Sequence, residues 1–480
     1  EMFVTDTLTI TGNGATSTIV DAQQLSRIFN FQFGDFTLSS VTLKNGKTTA
    51  IGNGGGAIAS SSSGVLTIQN STLSNNSTIG DFSFGGAVYS NSGAVTISQS
   101  TLSGNSTAGT DADGGAIRTY SGALTISQST LSGNSTAGIG AYGGAIRTSS
   151  GAVTISQSTL SGNSTAGDFA YGGAIYASTG ALTISQSTLS GNSTAGSNAD
   201  GGAIFTSSGA VTISQSTLSG NQATGPNSDG GGLWFDDSVV TIVNSTITGN
   251  TATRAGGGLG MRAGATDKKL TIHNSIIAGN TAASDPDFTA PTTPATNLEV
   301  RSSLIGRSNG TTLTATGGTT PDANGNLIGG ASDALKINPQ LGPLSNNGGL
   351  TQTHALLTSS PALNRGDNTL IAGATTDQRG NPFARIFDTT VDMGAIERFA
   401  GALIVSTNVD EVDNNVSTGD LSLREAIILA NSIPGANTIT FATSTNGAEF
   451  DLTLGEMFVT DTLTITGNGA TSTIVDAQQL

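Results

Sequence analysis

The 480-residue chain has no cysteine, so neither a disulfide frame nor a thiolate metal centre can hold it together, and stability must come from packing and backbone pairing. Charge is scarce too. Only 10% of residues are charged, and 17 basic against 33 acidic side chains leave a net charge of -16. Nucleic acid and anionic lipid both need clustered Lys and Arg, so neither is an expected partner. No apolar run approaches the ~18 residues of a membrane-spanning helix, so no transmembrane segment is expected within this stretch. The opening Glu1-Met2-Phe3-Val4 shows no secretory-leader pattern. Glu, Lys and Arg are strong helix formers, and their rarity argues against a helical repeat.

Glycine is abundant, at 67 residues, and hydrophobic residues still supply 35% of the chain in short regular clusters, enough for a core. Two nested periods organise them. Residues 1–25 recur unchanged as 456–480, an offset of 455 positions, so the chain is expected to span slightly more than one unit of a longer tandem protein, each unit starting near Gly401. Within it, Gly-Gly pairs begin at 85, 114, 143, 172, 201 and 230, a constant 29-residue step, with further copies at Gly55 and near Gly256. Repeats of this size mean a solenoid.

The hydrophobic period decides its type. LTIS and VTIS alternate with period two, placing Val95 and Ile97 on one face and Thr96 and Ser98 on the other, as in a strand. Three strands fit each unit (GGAIRT, ALTISQ and STLSGN), so each unit predicts one coil of a triangular all-β tube with parallel strands. Stacking aligns Ile58, Val88, Ile117, Ile146, Ile175, Ile204 and Leu233 in one apolar column. Ile68 through Ile242 make a second, and Leu73 through Ile247 a third. Asn76, Asn105, Asn134, Asn163, Asn192, Asn221, Asn250 and Asn280 form a further column, expected to be a structural ladder of stacked amides at a corner where asparagine tolerates left-handed geometry. Glycosylation is the alternative, since Asn105, Asn134, Asn163 and Asn192 begin Asn-Ser-Thr sequons.

The expected organisation is first coils at 1–49, regular coils at 50–285, irregular closing coils and loops at 286–400, the start of the next unit at 401–455, and its first coil at 456–480. Ser422 and Glu425 have capping-box spacing, and Leu423, Ile427 and Ala430 share a helical face before Pro434-Gly435. A short capping helix is therefore predicted near 421–431, plugging an open coil end.

The paired LSGN and GGAI signals resemble the FxxN and GGA(I/L/V) repeats of chlamydial polymorphic outer-membrane proteins, with Leu in place of Phe. LSLREAI at 421–427 resembles the CSLREA-type motif of bacterial secreted parallel β-helix proteins, with Leu421 in place of the cysteine. The stretch from Asn346 through TDQRGNP to Glu397 is similar to the closing region of the same surface proteins. The resemblance implies a right-handed parallel β-helix at the cell surface or outside the cell, without implying catalytic residues.

Chemistry is hard to find. Between Thr48 and Thr253 the only basic residues are Arg118 and Arg147, expected to be solvated surface side chains, and there is no Glu. No catalytic constellation is visible, so no enzyme activity is expected. His273 and His354 read as structural, and Trp234 with Phe235 as packing. The residues preceding each Gly-Gly (Phe84, Asp113, Tyr142, Tyr171, Asp200 and Asp229) vary between near-identical coils and are the expected contact column. Asp410, Asp413 and Asp420 are weak calcium candidates, and no other cofactor is expected. The outward Thr and Ser columns make a hydroxyl face of the kind that also suits ice binding. The function expected is a structural repeat unit of an extracellular or cell-surface fibre with an adhesion or matrix role. Its partners would be itself, head to tail and laterally, and cell-surface glycans or other cells. A polysaccharide-binding or polysaccharide-degrading β-helix and an ice-binding solenoid are the alternatives.

Overall fold

A computed structural model describes residues 1–262, 269–290, 298–318, 320–387, 389–399, 401–413, 415–416, 419–433 and 435–478. Ala400 at the expected unit junction, Pro434 of the expected helix stop and the last two residues of the repeated segment lie outside these.

Each 29-residue segment makes one turn of a right-handed parallel β-helix. In the turn that starts at Gly114, strands Ile117–Thr119, Leu124–Ser127, Thr130–Ser132 and Ser135–Thr136 follow one another. Every one pairs in parallel with its equivalent one coil on, Ile117 on Ile146, Ile126 on Ile155 and Leu131 on Leu160. The result is four sheets, of ten, eleven, twelve and eight strands. The three apolar columns point inward and are fully buried along the tube. Each such side chain contributes roughly 1.5–3 kcal/mol.

Four sheets correct the expectation of three strands per coil. The additional strand is only two residues long, and its inward residue is a buried threonine (Thr78, Thr107, Thr136, Thr165) whose hydroxyl donates to a carbonyl five residues on. A two-residue strand with a polar interior leaves no period-two trace.

The corners use specific residues. Left-handed backbone falls on Gln99, Gln128, Gln157, Gln186 and Gln215, and on the residue that precedes each column asparagine, Asn75 before Asn76 and a glycine from Gly104 (φ 62°) on, rather than on the column asparagines themselves. The asparagines instead lie inside. Asn134 Nδ2 donates to Asn163 Oδ1 (2.9 Å) and to Leu102 O (3.0 Å), while its backbone N–H donates to the same Asn163 Oδ1 (3.0 Å). The pattern runs from Asn76 to Asn280, which donates to buried Asp287 (3.0 Å). Burial raises Asp287 to about 6. Asn105, Asn134, Asn163 and Asn192 are fully buried with their amide hydrogens engaged, so folded coils offer them no room for a glycan.

A second ladder runs through Ser71, Ser100, Ser129, Ser158, Ser187, Ser216, Ser245, Ser275 and Ser303. Each hydroxyl from Ser100 on accepts from the backbone N–H of the serine one coil before. The Gly-Gly pair is likewise dictated by stacking. Gly114 has φ 67°, and a Cβ on Gly115 would lie 2.1 Å from Gly144 O in the next coil.

Beyond strand Leu327–Ile328 the chain stops coiling and turns back along the tube's flank. Strands Leu341–Ser345 and Thr353–Leu356 form an antiparallel pair. Gln378, from the TDQRGNP stretch, donates to Thr188 Oγ1 (2.9 Å) and Thr351 Oγ1 (3.0 Å) and accepts from Thr217 Oγ1 (2.6 Å). Further ties reach Asn244 and Asn274, so the clamp spans the coils from Gln186 to Asn274.

Residues 401–478 open a new stack. Helix Leu423–Ser432 starts at Ser422, whose side chain accepts from Glu425 N in a reciprocal capping box. Its apolar face covers strands Leu403–Val405 and Asn437–Phe441, and the same core takes in Phe383 and Phe399 of the flank clamp.

Candidate functional site

Two neighbouring columns on the outer face of the ten-stranded sheet bring aromatic and charged side chains together. One is the expected contact column before each Gly-Gly. The other is the outward middle residue of the following strand, Tyr89, Arg118, Arg147, Tyr176, Phe205 and Trp234, aligned by strand register. The two lie five residues apart and interleave.

The rings stack along the tube. Tyr142 lies 5.5 Å from Tyr171 and 4.6 Å from Tyr176, while Phe205 lies 4.6 Å from Tyr171 and 5.1 Å from Tyr176. Trp234 packs in the same cluster. A Cβ on Gly260 would lie 2.2 Å from the Trp234 ring, so glycine at 260 makes room for the indole. Such offset stacks add about 0.5–1.5 kcal/mol per pair beyond burial. At the other end Phe84 stacks on Tyr89 at 6.1 Å.

Arginine joins the two aromatic groups. Arg147 lies 4.3 Å over the Tyr176 ring and Arg118 5.4 Å over Phe84, and Asp113 sits between them at 3.5 Å from Arg147 and 3.7 Å from Arg118. These arginines are therefore not solvated surface side chains, because the neighbouring rings and Asp113 enclose them. Burial, with Arg147 adding repulsion, lowers Arg118 to about 10, and burial raises Asp113.

Towards Trp234 the ladder opens into a groove of about 510 Å³, lined among others by Tyr171, Tyr176, Asp200, Phe205, Asp229, Trp234, Asp236, Arg254 and Arg262. Asp229 is buried, accepts from Arg254 Nε (2.8 Å), and gives its backbone N–H to Asp200 (2.8 Å). Trp234 Nε1 donates to Asp236 (3.2 Å), which also pairs with Arg262 (3.4 Å). Burial, aided by the charges of Asp229 and Asp236, raises Asp200 to about 7. The arrangement combines an aromatic floor with carboxylates and guanidinium groups at its rim, chemistry that suits a polyhydroxylated ligand. The contact column thus divides: Phe84 and Asp113 belong to the closed stretch, Tyr142 to the stack, and Tyr171, Asp200 and Asp229 to the groove.

The other sequence candidates lie elsewhere. Asp410 is paired with Arg424 (2.6 Å) and accepts the Thr453 and Leu454 N–H groups, so it does not join Asp413 and Asp420. The carboxylates that converge with those two, within 4.8 Å, include Glu411 instead. His354 bonds to Ser219 Oγ (2.8 Å) and Gly342 O (2.7 Å), which ties the clamp to the tube, and burial lowers its pKa. His273 bonds to Glu299 (3.1 Å). Phe235 is in the core, while its neighbour Trp234 faces outward into the groove.

The chain belongs to the right-handed β-helix family, whose model matches residues 8–201 and 119–337. No curated protein and no solved structure matches the chain.

Proposed function

We propose that the chain is a repeat unit of a long secreted or cell-surface bacterial protein, and that its groove grips an extended polysaccharide so that the tube serves adhesion or matrix building. The observation that carries the binding role is the ring ladder ending in Trp234 beside Asp200, Asp236, Arg254 and Arg262. Sugar rings present an apolar face to an indole, and their hydroxyls bond to carboxylates and guanidinium groups. The recurrence of residues 1–25 as 456–480 supports the repeat, and the likeness of the coils and of LSLREAI to surface proteins supports the location.

Affinity electrophoresis through gels containing neutral or acidic polysaccharides tests this. At least one polymer should retard the chain, and Trp234→Ala should abolish the retardation while circular dichroism shows that the β-helix stays folded. Equal mobility in every gel would refute the binding role. Electron microscopy of the native material should show thin continuous fibres, and discrete monomers would refute the repeat role.

One observation favours a second reading, cleavage of the bound polymer. A carboxyl raised to about 7, beside Asp229 and Asp236, is placed to donate a proton near neutral pH. New reducing ends or unsaturated products, lost in Asp200→Asn, would establish it.

A further inference from the structure

We infer that the open edge of the first coil, residues 1–25, is the docking place for a second copy of segment 401–455, which closes the tube with its helix. The inference goes beyond the glycan groove and uses the tandem reading only through the recurrence of residues 1–25.

The same text occurs twice in two different settings. In the later copy, Leu463–Thr466 pairs with Asn437–Phe441, Thr438 opposite Thr464, and Ile474–Asp476 pairs with Glu449–Asp451. In the first copy the equivalent strands Leu8–Thr11 and Ile19–Asp21 pair with the coil that follows, Leu8 opposite Phe36 and Ile19 opposite Thr42. These contacts use opposite strand edges. Asn437 N–H donates to Thr462 O (3.0 Å), whose equivalent is Thr7, whereas Leu8 N–H donates to Asp35 O (2.9 Å). Successive residues of a strand turn their backbone groups to alternate edges, so the pairing made by residues 456–478 leaves free what residues 1–25 use, and the reverse.

Burial shows the same division. Val4 is 5% exposed, and its equivalent Val459 is 53% exposed because no following coil covers it. Conversely Met2 is 49% exposed, whereas its equivalent Met457 is half-buried against the core of segment 401–455. An unpaired strand edge with exposed apolar side chains recruits a partner. Segment 401–455 supplies one in register: Ile439, Phe441 and Phe450 are buried in its core, and its polar clamps meet both backbone and side chains of the repeated text, Asn446 accepting from Asn468 among them. Arg424 donates to Gly455 O (2.7 Å) and Glu456 O (3.2 Å), Asn431 donates to Phe458 O (2.7 Å), and Asn431 accepts from Thr460 N (2.9 Å). Glu1, Phe3 and Thr5 offer the same backbone groups. A coil held on both edges results, with the helix as the lid of the tube that follows it in sequence.

The test uses the full chain 1–480 preceded by an added copy of residues 401–455, joined as Gly455 to Glu1. The amides of Thr9 and Thr11, which face the open edge, should exchange at least tenfold more slowly than in the unextended chain. The chain has no cysteine of its own, so Thr9→Cys with Thr438→Cys in the added segment should form a disulfide, and Thr11→Cys with the same partner should not. Unchanged exchange across residues 1–25, an added helix without protection, or cross-linking at position 11 in preference to 9 would each overturn the inference. None of these outcomes bears on polysaccharide binding, which the gel measurement reads separately.

Discussion

Asn163→Ala tests the amide ladder where it is most regular. The side chain makes four hydrogen bonds: Nδ2 to Leu131 O (3.0 Å) and Asn192 Oδ1 (2.9 Å), and Oδ1 from Asn134 N (3.0 Å) and Asn134 Nδ2 (2.9 Å). Truncation does not orphan every partner. Asn134 Nδ2 keeps Leu102 O, and Asn192 Oδ1 keeps the backbone N–H of residue 163. The Asn134 N–H, however, is left buried without an acceptor, which costs about 1–3 kcal/mol, and the other three bonds add about 0.5–1.5 kcal/mol each. Allowing for relaxation, the loss should be about 3–5 kcal/mol, against under ~0.5 kcal/mol for a surface change. Guanidinium unfolding with hydrogen exchange of the flanking coils measures it, since a long solenoid can open locally. Asn163→Asp adds a pH signature. It keeps the acceptor but presents a carboxylate to Leu131 O and Asn192 Oδ1, so it should be more destabilising at pH 8 than at pH 4. An Asn163→Ala loss no larger than that of a surface change, or a pH-independent Asn163→Asp, would refute the claim that the ladder is a stabilising donor chain.

Asp200 is raised to about 7 from 3.8, so the folded state holds its proton more tightly than the unfolded one. Its contribution to stability is full below about pH 4 and is lost as pH rises to about 7. Asp200→Asn, which keeps an acceptor for Asp229 N–H, should flatten that decline and stabilise the chain at pH 8, as urea titrations at both pH values would show. Gly144→Ala places a Cβ 2.1 Å from Gly173 O and should cost the upper end of the ~1–3 kcal/mol of overpacking, read as a lower denaturation midpoint. Ser422→Ala removes the helix cap and should cost about 1 kcal/mol, visible as faster exchange in Leu423–Ser432 alone.

The tube was legible because LTIS and TLSGN repeat at a fixed interval with apolar residues every second position, a pattern that one-residue slippage would destroy. The short fourth strand was not, having only a threonine to turn inward. The serine ladder hid because serine ordinarily marks a surface. In the groove, the column before Gly-Gly stood out by its variation, but Tyr176 and Phe205 were missed and Trp234 was read as packing. Their 29-residue spacing with Arg118 and Arg147 was the available signal. Arg118 and Arg147 were misjudged because Asp113 reaches Arg147 from the preceding coil, a neighbour that linear order conceals. The flank clamp was beyond reach, since Gln378 meets Thr188 across 190 residues with no period to announce it.

Because every coil from Gly85 to Gly230 presents the same text to its neighbours, the tube's length is quantised. Deleting residues 115–143 would bring Ile146 onto Val88 and Asn134's successor, Asn163, onto Asn105, with every ladder rejoined. Such in-frame gains and losses are harmless only before the clamp. Coils from Gln186 to Asn274 are held at fixed height by Thr351, Gln378 and Asp367, so a coil inserted there would slide the flank out of step. The molecule therefore carries a stretch that can gain or lose whole coils in register and a stretch whose coil number is fixed.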